Sequence, residues 1–207
     1  MEYCMAAEIA WRAGYDKLKV VAVDWTPLIT GKTSGYDLTL SEASITDARK
    51  KILDFSVPYF NSDIGVLTRT DVPVTEASIK KVTVGIQQGT TGAAFANDVL
   101  HLTNFVAYAD RSEMFDALHK GDIDVVLTDT SITLSEEAHD GGKSKVVGQY
   151  KTGETYGAIY EKGSPNGPII DKIIQSMIDD GTMKKLAATY LAAAWGKDPA
   201  SIPYFKP

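Results

Sequence analysis

Four short apolar runs constrain the fold more than any other feature of this sequence. They lie at Leu18–Val23, Val82–Gln87, Phe105–Ala109 and Ile123–Leu127, and each is bounded by polar or glycine residues. Runs of this length and composition are typical of strands. The first is continuous and rich in valine, as in a strand buried on both faces of a parallel sheet. Helical segments alternate with these runs, so the sequence predicts an α/β fold.

The helical segments show apolar residues at the spacing of a helix. Met1, Met5 and Ile9 recur every four residues ahead of Gly14, which predicts that the chain begins within a helix. Further helices are predicted at Ser112–Lys120, Pro168–Asp179 and Thr182–Leu191.

Composition excludes several classes of protein. The net charge of −6 and the pI near 5.1 argue against a nucleic-acid partner. No apolar run reaches the roughly 18 residues of a membrane span. Cys4 is the only cysteine, which excludes an internal disulfide, and His101, His119 and His139 lie on separate segments without metal-ligand spacing. The sequence has no nucleophile elbow, phosphate-binding loop or zinc-protease motif, so we predict no enzyme activity, no metal and no cofactor.

The segment Tyr36–Phe60, YDLTLSEASITDARKKILDFSVPYF, is the strongest candidate for a binding site. We interpret it as a strand, an exposed loop, a short helix and a second loop. Ser44 and Arg49 place a hydroxyl group, the N–H groups of a helix start and a guanidinium close together, and these are groups that bind a carboxylate. The alternative is structural, since a serine before a helix is commonly a cap and an arginine is commonly a surface charge.

This segment carries the pattern DxxxSxxSITxxRxxxxxFSxPY, which resembles the type II periplasmic solute-binding proteins that supply polar amino acids to ABC importers (family 3). The matching residues are Asp37, Ser41, Ser44, Ile45, Thr46, Arg49, Phe55, Ser56, Pro58 and Tyr59. The resemblance implies two lobes of doubly wound α/β sheet, joined by two hinge strands as in a Venus flytrap. Lobe one would comprise residues 1–62 and 160–207, and lobe two residues 63–159.

Polar or aromatic residues lie at the ends of three of the predicted strands or directly after them. Trp25 follows the first strand, where open α/β sheets bind ligands, although packing into the core is the alternative. Asp129 ends another strand, where an acid is costly unless it is paired or caps the next helix. Gln87 precedes a glycine-rich turn that partly resembles a dinucleotide fingerprint, but it stands where the first glycine of that motif belongs.

The resemblance also implies a role for each candidate residue. The ligand would be a free amino acid, captured in the interlobe cleft by hinge closure. Its α-carboxylate would be held by Ser44, Arg49 and Thr91, its α-ammonium by Asp129, and its side chain by Trp25 and Gln87, with further hydrogen bonds to backbone groups near Ser41 and Ala43.

The polar side chains of Glu42 and Gln87 favour a polar or basic ligand. Two other functions remain open from the sequence. One is a dehydratase of the cyclohexadienyl dehydratase type, and the other is a ligand-sensing module.

The first residues, MEYCMAAEIAWRAG, have neither the basic region nor the apolar region of a signal peptide. Compared with the family pattern, we expect the first strand and the signal peptide to be absent from this sequence. The resemblance implies a periplasmic or extracytoplasmic location, membrane subunits of an importer as partners, and a monomer.

Overall fold

A computed structural model describes residues 1–207 and confirms an α/β fold made of two compact units. Unit 1 comprises Met1–Asn61 and Glu154–Ala193, and unit 2 comprises Ser62–Gly153 and Ala194–Pro207. The chain therefore passes between the units three times. The two predicted crossings fall within strands, and the third falls near the end of the chain.

Helices and short strands alternate along the chain. The helices are α1 (Glu2–Arg12), α2 (Trp25–Ile29), α3 (Asp47–Lys50), α4 (Thr91–Ala94), α5 (Arg111–Lys120), α6 (Thr130–His139), α7 (Gly167–Asp179), α8 (Thr182–Ala187) and α9 (Ala193–Trp195). The strands are β1 (Leu53–Phe55), β2 (Phe60–Arg69), β3 (Val84–Gln87), β4 (Phe105–Tyr108), β5 (Val125–Asp129), β6 (Ser144–Tyr156) and β7 (Ile159–Glu161). Short 3-10 helices lie at Glu76–Lys81 and Pro199–Ser201, and π-helical turns at Phe95–Val99 and Ala188–Ala192.

Unit 2 is built on a five-stranded sheet with the order β4-β3-β5-β2-β6. Strand β3 runs parallel to both β4 and β5, whereas β2 runs antiparallel to β5 and pairs Ile64 with Asp129. Ile64 and Leu127 are fully buried in the core on this sheet. The carboxyl ends of β3 and β5 consequently lie side by side, as the predicted parallel strands require.

Unit 1 has a much smaller sheet, in which β1 pairs antiparallel with β7. Its core comes largely from helices. Met5 and Ile9 of α1 are buried, as their spacing predicts, and they pack with Ile174 of α7 and Tyr156. The predicted strand after Tyr36 is reduced to an isolated pairing of Thr39 with β7.

The prediction of a buried strand at Leu18–Val23 is wrong. These residues form no strand, and Val20 and Val21 are 58% and 63% exposed. A run of β-branched residues becomes a strand only when neighbouring backbone pairs with it. No other segment of residues 1–207 pairs with this run, so its side chains face solvent.

The end of the chain lies in unit 2, whereas the predicted boundaries assign residues 160–207 to lobe one. Gln149 is buried in β6, and its side-chain amide donates hydrogen bonds to the carbonyl groups of Pro199 (2.9 Å) and Ile202 (3.1 Å). The ring of Phe205 packs against Gly148, where a Cβ atom would lie 2.4 Å from the ring. These contacts hold residues 199–205 on the unit 2 sheet.

Candidate functional site

Arg49 lies at the centre of the candidate residues of unit 1. Helix α3 begins after Thr46, whose hydroxyl group accepts the Arg49 backbone N–H at 3.2 Å. The buried guanidinium donates through Nη1 to the Ser44 carbonyl at 2.7 Å, and its Cζ lies 5.1 Å from the ring centroid of Trp25. The structure thus brings together three predicted residues, and Trp25 contacts Arg49 by a cation–π interaction.

The backbone of Ser44 faces the same side as this guanidinium. Ser44 pairs antiparallel with Tyr156, and the neighbouring ladder bonds are donated by Ile45 (2.8 Å) and Gly157 (3.2 Å). This is the non-hydrogen-bonded type of pair, so the N–H and C=O of Ser44 point away from Tyr156. Because Arg49 reaches the Ser44 carbonyl on that side, the Ser44 N–H and the guanidinium donate in the same region.

The Ser44 hydroxyl has a different partner, which the sequence did not predict. Its Oγ donates to Oε2 of Glu154 at 2.6 Å, a contact between residues 110 positions apart. A serine hydroxyl has one proton to donate. Ser44 therefore offers an anion its backbone N–H, while Glu154 occupies its side chain.

The loop Ser41–Ser44 has an unusual backbone. Glu42 has φ of 50°, in the left-handed region that costs a residue other than glycine about 1–2 kcal/mol. Its N–H donates to Oε1 of Glu2 at 3.0 Å, and the hydroxyl group of Tyr59 donates to the same atom. Ala43 is fully buried and its carbonyl accepts an N–H of the ladder, so its side chain belongs to the core.

Burial, followed by repulsion from the nearby Glu42 carboxylate, raises the pKa of Glu2 to about 7 against the lowering effect of the hydrogen bonds from Tyr59 and the Glu42 N–H. The ordinary pKa of a glutamate is 4.5. Glu2 therefore changes its charge near neutral pH. Neither Glu2 nor Tyr59 was predicted as a binding residue.

The candidate residues of unit 2 lie at the carboxyl ends of β3 and β5. Gln87 ends β3, and Asp129 ends β5 next to it. Thr91 opens α4, and Gly92 allows this helix to approach β5 closely, since an added Cβ would lie 2.9 Å from the Leu127 carbonyl oxygen. The structure therefore places these predicted residues on one edge of the sheet.

The hydrogen bonds at the starts of α4 and α6 bear on the roles of Thr91 and Asp129. The cap of α4 is Thr90, whose hydroxyl accepts the Ala93 N–H at 3.1 Å, so Thr91 is not needed as a cap. Asp129 is buried at the start of α6, but its side chain makes no capping hydrogen bond there. Asp129 thus precedes α6 in the cap position without the side-chain hydrogen bond of a cap.

Unit 1 presents a guanidinium with a backbone N–H, which suits a carboxylate, and unit 2 presents the buried Asp129 carboxylate, which suits a cation. No three His, Cys, Asp or Glu side chains are grouped so that they could hold a metal ion. None of the helices has the length and apolar character needed to span a membrane.

The sequence matches a family model over most of its length. Residues 1–193 match bacterial extracellular solute-binding proteins, family 3. The chain belongs to this family. Family 3 is a family of binding proteins rather than enzymes, which favours binding over the dehydratase alternative.

Two curated relatives illustrate the similarity to family 3 proteins. The chain is 31% identical over 97 residues to the ABC transporter arginine-binding protein 1 of Escherichia coli K12, covering 47% of this chain and 40% of that protein. It is 29% identical over 184 residues to the lysine/arginine/ornithine-binding periplasmic protein of the same strain, covering 82% and 70%. The alignments therefore span two fifths to seven tenths of these relatives.

A solved structure shares the fold. An amino acid ABC transporter substrate-binding protein from Streptococcus pneumoniae, bound to L-arginine, is 29% identical with a TM-score of 0.78. The match covers 94% of this chain and 82% of that structure. This likeness confirms the predicted fold class, that of a family 3 solute-binding protein.

Proposed function

We propose that this chain binds a free amino acid and delivers it to the membrane subunits of an ABC importer. The observation that carries the proposal is the Arg49 guanidinium, held by the Ser44 carbonyl and the Trp25 ring beside the Ser44 N–H. Membership of family 3 supports the proposal, because the relatives are named as amino-acid-binding proteins.

The α-carboxylate of the ligand is assigned to Arg49 and the Ser44 N–H, with Thr91 as a further donor. A guanidinium and backbone N–H groups form charge-assisted hydrogen bonds to a carboxylate. Ser44 contributes through its backbone in this proposal, because its hydroxyl group donates to Glu154. Backbone groups near Ser41 supply further hydrogen bonds, whereas the Ala43 carbonyl is already used by the Gly157 N–H.

The α-ammonium of the ligand is assigned to Asp129. A buried carboxylate is stabilised by an ammonium partner, and Asp129 ends a strand next to the strand that ends at Gln87.

A basic amino acid is the ligand class we favour. Glu42 and Glu154 add carboxylates to the residues around Ser44, Gln87 is polar, and the net charge of −6 favours a cation at long range. The two relatives described above are named for arginine and for lysine, arginine and ornithine, in agreement with this class.

Thermal unfolding with and without each common amino acid tests the proposal. A ligand that binds only the folded state adds about 2.7 kcal/mol to the free energy of unfolding at about 100 times its Kd. We expect the midpoint to rise by several degrees with arginine, lysine or histidine. A cooperative transition that no amino acid shifts would overturn the proposal.

Substitutions then assign the binding residues. Arg49→Met should weaken binding about 30-fold or more, because the ligand carboxylate loses its charge-assisted partner. Lys50→Met is the matched control, since Lys50 is an exposed cation on the same helix. Equal losses of affinity in the two variants would count against a role of Arg49 in binding the ligand carboxylate. Uptake of labelled arginine in cells should need the wild-type chain and fail with Arg49→Met.

A further inference from the structure

Glu2 makes two polar contacts outside the residues assigned to the ligand. Its Oε1 accepts the N–H of Glu42, 40 positions along the chain, and the hydroxyl of Tyr59, 57 positions along. Glu2 opens α1, and the buried side chains of Met5 and Ile9 fix this helix in the core of unit 1. The carboxyl group is therefore a fixed point to which two distant segments are attached.

The segment that it holds is the loop Ser41–Ser44. Glu42 adopts φ of 50°, and a glutamate stays in this region only where surrounding contacts determine its backbone. The hydrogen bond from the Glu42 N–H to Glu2 is such a contact. Two residues later, the Ser44 carbonyl accepts from Arg49, so the direction of the Ser44 N–H depends on how this loop is held.

We propose that Glu2 is a positioning residue of the amino-acid site, whose carboxyl group holds the loop Ser41–Ser44 so that the Ser44 N–H faces the side of the Arg49 guanidinium. This inference rests on the proposed function for its link to ligand binding. Its structural part, the attachment of the loop to α1, can be measured without any ligand.

The groups around Glu2 give the attachment a pH dependence. The Glu42 carboxylate, the Tyr59 hydroxyl and the amino-terminal ammonium of Met1 all act on it, and burial is the largest effect on its pKa, which lies near 7. Releasing the loop would uncover the carboxyl group and remove the repulsion by the Glu42 carboxylate. Burial and this repulsion each raise the pKa of Glu2 more than the Glu42 N–H bond lowers it. The pKa of Glu2 would therefore move back toward 4.5. The Glu2 carboxyl group therefore binds its proton more tightly while the loop is attached. For this reason the attachment of the loop weakens as the pH rises through about 7.

Hydrogen exchange of the ligand-free chain measures the attachment directly. In Glu2→Ala we expect exchange at the Glu42 amide to become at least about tenfold faster, while amides of α7 stay protected. Glu2→Gln should retain protection, because its side-chain carbonyl still accepts the N–H. Glu8→Gln is the control, since Glu8 lies on α1 but pairs with Arg12. Unchanged exchange at Glu42 in Glu2→Ala overturns the inference.

Calorimetric titration with L-arginine measures the link to binding. Between about pH 6 and pH 8 the affinity of the wild-type chain should fall by up to about tenfold, as expected for one proton with a pKa near 7. The Glu2→Gln variant should bind without this pH dependence. The same pH dependence in both proteins overturns the link between Glu2 and the site.

Tyr59→Phe supplies a test if Glu2→Ala fails to fold. The hydrogen bond from Tyr59 lowers the pKa of Glu2, so its loss should move the midpoint of the pH dependence upward. An unmoved midpoint contradicts the inference. If the wild-type chain binds none of arginine, lysine, histidine and glutamine, the proposed function fails, while the exchange experiment still decides whether Glu2 holds the loop.

Discussion

In unit 2 the candidate residues Gln87 and Asp129 end strands of a five-stranded sheet, whereas in unit 1 the candidate residues Ser41–Ser44 lie on a loop beside a two-stranded sheet. Gln87 and Asp129 are placed by the backbone ladder of β3 and β5. The loop Ser41–Ser44 is instead held by the side chains of Glu2 and Glu154 together with the backbone bond from Gly157 to Ala43. The backbone ladder thus determines the geometry of these residues in unit 2, whereas buried polar side chains contribute to the geometry of the loop in unit 1.

The largest expected difference between the units concerns core substitutions. Leu127→Ala should cost about 3–5 kcal/mol, because Leu127 is fully buried under the unit 2 sheet and a cavity remains there. Leu53→Ala should cost about 2–3 kcal/mol, since Leu53 packs in a small cluster that can collapse around the gap.

Denaturant unfolding, followed by probes in each unit, measures both costs. Equal costs for the two variants, or a larger cost for Leu53→Ala, would remove the distinction between the cores. Limited proteolysis gives an independent comparison, in which cleavage within residues 15–24 of unit 1 is expected before any cleavage in unit 2.

The second prediction concerns pH and is specific to unit 1. The folded state raises the pKa of Glu2 to about 7 from 4.5, so between these values the folded state holds a proton that the unfolded state has lost. Stability from this group is therefore complete below about pH 4.5 and falls as the pH rises to about 7, by up to on the order of 3 kcal/mol.

The difference in unfolding free energy between wild type and Glu2→Gln, measured across this pH range, isolates the contribution of Glu2. Other titrating groups are shared by both proteins and cancel in the difference. A difference that does not change with pH would show that Glu2 is solvated, and that unit 1 does not depend on a buried polar group.

The third prediction tests packing at the unit 2 edge. Gly92→Ala places a Cβ 2.9 Å from the Leu127 carbonyl oxygen and 3.2 Å from the Thr128 Cα, and neither backbone atom can rotate away. We expect a cost of about 1–3 kcal/mol, with weaker stabilisation by ligand because Thr91 moves from the edge. Ala94→Gly is the control, since it changes helix propensity at an exposed position of α4 without touching β5.

The sequence predicted those parts of the site that depend on local patterns. The Ser44 to Arg49 segment forms the short helix and places the guanidinium as expected, because the Thr46 cap and α3 lie within a few residues. Gln87 and Asp129 lie together because parallel strands align their carboxyl ends. Glu2 and Glu154 were missed because their partners lie 40 and 110 positions away, and no spacing rule connects them.

The same reasoning explains the two errors in the fold. Strand formation at Leu18–Val23 depends on a neighbouring strand, which the composition of the run itself cannot supply. Residues 194–207 were assigned to the wrong half because their position depends on the buried amide of Gln149, a single polar residue within an otherwise ordinary strand. Both errors concern long-range partners rather than local propensity.

The smallest expected effect is also the sharpest test of the exposed run in unit 1. Val21→Thr should change the free energy of unfolding by less than about 0.5 kcal/mol, because Val21 is 63% exposed and threonine keeps the β-branched shape. Val126→Thr in β5 is the matched variant. It should cost about 1–3 kcal/mol, since it buries a hydroxyl group in the sheet of unit 2. Equal costs for the two variants would mean that the Val21 side chain is buried against other residues. The run Leu18–Val23 would then be a buried strand of unit 1.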